Sequence, residues 1–209
     1  MPIYKTITHN SQTSVKIWKI TESYNDLLKP LDLKSESLER VLGMRSELHQ
    51  KGFLSIRHLL RAFEYTDQDL FYDENGKPHL KDGKHISITH SFTFSAVVIS
   101  DDFVGIDIEK QRNKIGIIAH KFVDYESDYL NEKDENYINY LTKIWCVKES
   151  LYKLFTTNGL SFKEHCLVIP FYQQDETTSA WIDYQNKKSK YKAWFFEFEG
   201  FTCAYTLPS

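Results

Sequence analysis

GIDIEK (105–110) is the stretch whose reading decides the fold. Isoleucines at alternate positions mark a β-strand, with Ile106 and Ile108 on one face and Asp107 and Glu109 on the other. The two carboxylates then lie about 6.6–6.8 Å apart, measured between Cα atoms. Like charges at that spacing repel unless water or a cation separates them. Taken alone, the pair is either a solvated acidic face or two ligands of a divalent metal ion.

Upstream of this strand, HISITHS (85–91) and FSAVVIS (94–100) also read as strands, as does VKIWKI (15–20). Between them, SESLERVLGMRSELHQ (35–50) has helical periodicity. Gly52 is expected to separate it from a second helix through FLSIRHLLRAFEY (53–65). DENGKPHL (73–80) carries a turn signal in Asn75-Gly76 and Pro78. Downstream, KIGIIAHKF (114–122) reads as a helix, and a long helix is expected from Glu132 to Phe155. Its apolar stripe is Tyr137, Leu141, Ile144, Leu151 and Phe155. The tail, CLVIPFY, SAWIDY, KAWFFEFE and FTCAYTL, is strand-rich. Strand, helices and strands therefore occur twice, an α+β chain in two similar halves, 1–103 and 104–209.

The chain of 209 residues is 41% hydrophobic and 15% aromatic, which sustains a packed core and excludes disorder. The net charge of −3 gives no bulk attraction to nucleic acid. Three widely spaced cysteines, Cys146, Cys166 and Cys203, form neither a metal-ligand nor a disulfide pattern, and a reducing compartment is expected. The opening MPIYKTITHN lacks a leader pattern, and no apolar run is long enough to span a membrane. A soluble cytoplasmic protein is expected.

WCVKESLYK (145–153) lies on the long helix. Glu149 and Lys153 are i,i+4 and share a face about 40° wide, away from the apolar stripe. That is the pattern of an exposed ion pair, or of a third acid and a cation presented to the strand. Lys148 falls near the apolar stripe, where an ammonium needs a phosphate, a backbone carbonyl or a route to water.

The order NGKP (75–78), ISITHS (86–91), GIDIEK (105–110) and WCVKESLYK (145–153), closed by GLSF (159–162), resembles the 4′-phosphopantetheinyl transferase superfamily. The likeness is greatest to its longer single-chain members of surfactin-synthetase type. It covers less than half of the chain. G-[IV]-D-x-E followed about 40 residues later by W-x-x-K-E-[SA]-x-x-K is the specific part.

The resemblance implies two similar halves paired as a pseudo-dimer, each with a small, mostly antiparallel sheet packed on helices. It implies a monomer that transfers 4′-phosphopantetheine from coenzyme A to a serine of an apo acyl or peptidyl carrier protein and releases 3′,5′-ADP. Asp107, Glu109 and Glu149 would bind Mg2+, whose preference for hard oxygen ligands suits three carboxylates. Glu149 would also be the general base, directly or through a water. Lys153 and His90 would contact phosphates of coenzyme A. Lys77 would lie near the nucleotide, with the backbone of Gly76 and Pro78 along adenine. Thr89 stands where serine is usual and keeps the hydroxyl. Lys51 is aligned with the basic residues that grip the 3′-phosphate, with Arg40, Arg45 and Arg57 as alternatives. Two rival readings are a catalytically degenerate homologue that binds coenzyme A or a carrier protein, and a metal-dependent nuclease. Intact acids argue against the first. The net charge and an acid borne on a helix argue against the second.

Overall fold

The computed structural model describes residues 3–155, 157 and 159–209. The chain divides into two compact units, Met1–Asp102 and Phe103–Ser209. Both are α+β, and their sheets are antiparallel throughout.

The first unit holds β1 (Ile3–Thr8), β2 (Thr13–Lys19), α1 (Tyr24–Leu28), α2 (Ser35–Leu42) and α3 (Glu47–Ala62). They are followed by β3 (Leu70–Tyr72), β4 (Pro78–Leu80), β5 (His85–Ser91) and β6 (Phe94–Ser100). The main sheet runs β1-β2-β6-β5, and α3 packs against β2, β5 and β6. Its core gathers Trp18, Leu54, Leu59, Leu60, Ile86 and Val97.

The second unit holds β7 (Gly105–Lys110), α4 (Lys114–Ile118), α5 (Tyr137–Phe155), β8 (Cys166–Val168), β9 (Thr177–Tyr184), β10 (Lys187–Phe198) and β11 (Phe201–Pro208). The sheet order is β7-β11-β10-β9-β8. Two-residue turns join the last three strands, with positive φ at Gln185 and Asn186 and at Glu199 and Gly200. Left-handed pairs of this kind match the twist of a hairpin. α5 lies on β7, β11 and β8.

Helix boundaries differ from the sequence expectation in several places: α3 ends at Ala62 rather than at 65 and α4 at Ile118 rather than at 122, and three others differ for a local reason. The helix expected over 35–50 is two helices. α2 ends at Gly43, and Nε2 of Gln50 on α3 donates to the carbonyls of Val41 (3.1 Å) and Met44 (3.2 Å). A side chain of the second helix thus satisfies carbonyls that the first leaves open. Gly52 does not break a helix; it sits inside α3, where its missing side chain makes room for the His90 ring. α5 starts at Tyr137 rather than Glu132. Asn131 Oδ1 takes the Lys133 amide and Asp134 Oδ1 takes the Asn136 amide. Such local bonds divert the backbone into turns before helix can begin.

Candidate active site

Gly105 sets the geometry of the second unit. A Cβ on it would lie 1.8 Å from the carbonyl oxygen of Ser150, so the α5 backbone rests directly on β7 there. Asp107 and Glu109 share the face of Gly105, and are therefore turned toward α5 rather than toward water. Asp107 is buried at 5% exposure, so the solvated-face reading of the strand is wrong.

On α5, Cys146, Glu149, Ser150 and Lys153 fall on the side that meets this strand. Lys153 Nζ donates to Asp107 Oδ1 at 2.7 Å and to the carbonyl of Ile106 at 3.0 Å. Burial would lower the Lys153 pKa, but the Asp107 carboxylate and Glu149 outweigh it and raise it. Glu149 is pushed up to about 7, first by burial and then by the charges of Asp107 and Glu109, with Lys153 opposing. The Cys146 thiol is driven well above its ordinary value by burial and by the same two acids. It donates to the carbonyl of Thr202 at 3.5 Å.

Asp107, Glu109 and Glu149 therefore lie within one another's field. Among the described residues, however, no three His, Cys, Asp or Glu side chains are gathered as the ligands of one metal ion. Lys153 stands on Asp107 and neutralises part of the acidic face. The donor set itself fits a hard divalent cation: it offers carboxylate oxygens only, and the charges of Asp107 and Glu109 add to burial in raising Glu149.

Lys148 finds neither phosphate nor solvent. Its Nζ donates to the carbonyls of Phe122 (2.7 Å) and Phe162 (3.0 Å) and to Glu126 Oε2 (2.8 Å). Both charged side chains are fully buried. Burial lowers the lysine's pKa, and Glu126 offsets part of that.

In the first unit, Lys77 sits in the β3–β4 hairpin. Asp73 Oδ1 accepts the amides of Asn75 and Lys77, and Gly76 takes a φ of +79°. Burial lowers the Lys77 pKa, against the pull of Asp73. Thr89 is buried and His90 exposed, on opposite faces of β5. The His90 ring rests on the α3 backbone, 3.0 Å from where a Gly52 Cβ would be. The His49 ring stands beside it, 5.9 Å between centroids. Lys51, on the same helix, lies 3.8 Å from Glu47. Of the alternatives to Lys51, Arg57 is buried, donates Nε to Asp67 at 3.0 Å and stacks on Phe53. It is a core residue of the unit. Arg40 is exposed and stacks on Tyr72.

Sequence reasoning missed Cys146, Glu126 and His49. Cys146 shares the helix face of Glu149 and Ser150, a spacing that could have marked it. Glu126 and His49 carry no local signal, because each meets its partner across the fold.

Residues 103–206 match the family model described as the 4′-phosphopantetheinyl transferase superfamily. The chain is 28% identical over 159 residues to the 4′-phosphopantetheinyl transferase gsp of Aneurinibacillus migulanus, covering 73% of this chain and 65% of that protein. It is 31% identical over 118 residues to the 4′-phosphopantetheinyl transferase psf-1 of Bacillus pumilus, covering 53% of this chain and 50% of that one. The chain thus spans less than two thirds of the length of either relative. No helix among the described residues is long and apolar enough to cross a membrane.

Proposed function

We propose that this protein, whose residues 103–206 match the model of the 4′-phosphopantetheinyl transferase superfamily, transfers 4′-phosphopantetheine from coenzyme A to a serine of an apo acyl or peptidyl carrier protein. The observation that carries the reading is the face shared by β7 and α5, where Asp107, Glu109, Glu149 and Lys153 act on one another. The partial agreement in strand order, β2-β6-β5 with β7-β11-β10, supports the view of two similar halves. The protein is read as a cytoplasmic monomer.

In this reading Asp107, Glu109 and Glu149 hold Mg2+, which supplies positive charge to the diphosphate of coenzyme A. The serine Oγ attacks the β-phosphorus, the bond to the bridging oxygen breaks, and 3′,5′-ADP leaves. The serine proton passes to Glu149, whose pKa of about 7 suits a general base near neutral pH. Lys153 exchanges its contact with Asp107 for one with a phosphate, as a compact ammonium allows. In the first unit, exposed His90 and half-buried Lys77 are the assigned phosphate and nucleotide partners. Thr89 lines the strand behind His90, and Lys51 is assigned to the 3′-phosphate.

Incubation with Mg2+, coenzyme A and a panel of apo carrier proteins, followed by weighing the carriers, tests this. A gain of one phosphopantetheine group is expected, and Glu149→Gln should slow it by about 10²–10⁴-fold. Coenzyme A binding with no mass gain on any carrier would favour the degenerate reading. Cleavage of DNA or RNA by the same preparation would favour a nuclease.

A further inference from the structure

The buried pair of Lys148 and Glu126 plays no part in the chemistry above, yet it joins four segments of the second unit. Lys148 reaches the carbonyls of Phe122 and Phe162 besides Glu126 Oε2. Glu126 Oε1 in turn accepts the amide of Val168 on β8, at 2.8 Å. Trp145, three residues earlier on α5, sits edge-on to both Phe122 (5.0 Å) and Phe162 (5.5 Å), the two residues whose carbonyls Lys148 holds.

The position on the helix matters more than the pair's mere burial. Lys148 is two residues from both Cys146 and Ser150, about 200° round α5 from each. Cys146 and Ser150 lie against β7 and β11. The strut therefore stands on the side of α5 away from the acidic strand. The strand side carries an opposing force: Glu149 feels the charges of Asp107 and Glu109, and like charges work against close packing of the helix on the strand. Lys153 on Asp107 offsets some of that repulsion, and a fixed support behind the helix resists the rest.

We infer that Lys148 and Glu126 are positioning residues, a strut behind α5 that holds Glu149 and Lys153 at the β7 carboxylates. The inference rests on the reading of those acids as a shared metal site, but its first readout does not need turnover. Cys146 is fully buried between α5 and the sheet, so its reaction with a thiol reagent reports the gap between them.

Breaking one half of a buried pair leaves an uncompensated charge, whereas replacing both halves with apolar groups is often near neutral for stability. The test variant is therefore the double substitution Glu126→Leu with Lys148→Met. The folded double variant should melt cooperatively, label Cys146 at least tenfold faster than the parent chain, and need about tenfold more Mg2+ for half-maximal transfer. Labelling is read by mass spectrometry of the α5 peptide, so Cys166 and Cys203 do not confuse it. Parent rates of labelling together with an unchanged Mg2+ requirement would overturn the inference and leave the pair a fold support only. If the parent chain transfers nothing, labelling alone decides, and the transfer reading fails separately. If the double variant does not fold, Glu126→Gln, which keeps the shape, is scored on the same readouts.

Discussion

Glu149 is the residue on which the proposed chemistry turns, and its proton can be followed without substrate. Its folded pKa is raised from 4.5 to about 7 by burial and by Asp107 and Glu109. The folded chain then binds more protons than the unfolded one between those values, so stability falls as pH rises across that window. The contribution is complete below about 4.5 and gone above about 7. Melting the metal-free protein in a chelator from pH 4.5 to 8 should show this loss, and the slope should flatten in Glu149→Gln. An identical slope in both proteins would place the proton elsewhere. Added Mg2+ should stabilise most at the alkaline end, where no proton need be displaced. Alternation along a strand and i,i+4 spacing on a helix put Asp107 and Glu109 on one face and Glu149 and Lys153 on another, but left a solvated strand face and an exposed ion pair open; only the motif resemblance joined the four. Cys146, Glu126 and His49 were not legible, since Glu126 lies 22 residues from Lys148 and the two meet only through folding.

At the scale of elements, two glycines at helix–strand contacts differ in what surrounds them. Gly105 faces a backbone carbonyl, and a methyl there would overlap Ser150 O at 1.8 Å. Backbone in a buried helix cannot turn aside, so Gly105→Ala must push α5 from β7. A loss of about 1–3 kcal/mol or more is expected from denaturant melts, as for other overpacked cores. Gly52 faces only the exposed ring of His90, at 3.0 Å, and a side chain can rotate away. Because alanine gains about 0.8–1.0 kcal/mol over glycine inside a helix, Gly52→Ala should keep or slightly raise stability. It should nevertheless displace His90 and weaken coenzyme A binding in calorimetry. Strong destabilisation by Gly52→Ala would mean that the ring is fixed. Strand positions were legible because alternation survives in short stretches such as HISITHS. The α2–α3 corner was not, because Gln50 closes it with a side chain that also suits a helix interior. Gly52 read as a breaker because its reason, a ring on the neighbouring strand, leaves no trace in the local letters.

Across the whole molecule, the two units have sheets of four and five strands that agree in part of their strand order. In the first unit the last strand pairs with the second, giving β2-β6-β5, and in the second unit the last strand pairs with the first, giving β7-β11-β10. The letters hinted at this only as a repeated order of elements, since strand pairing is made across the fold and leaves little trace in residue identity. The units differ sharply in their thiols: Cys146, Cys166 and Cys203 all fall in the second, all buried and none in a disulfide. A thiol reacts as its thiolate, and burial pushes Cys146 well up and Cys166 up to about 12. Access and ionisation are thus withheld together. At pH 8 the native chain should therefore give no fast reaction with a colorimetric thiol reagent, and three equivalents once denatured. A reducing agent should leave the melting temperature unchanged, because there is no disulfide to open. One rapidly reacting thiol in the native protein would show that the second unit opens far below its melting point. Peptide mapping would then tell whether the gap lies between α5 and β7, at Cys146, or along β8, at Cys166.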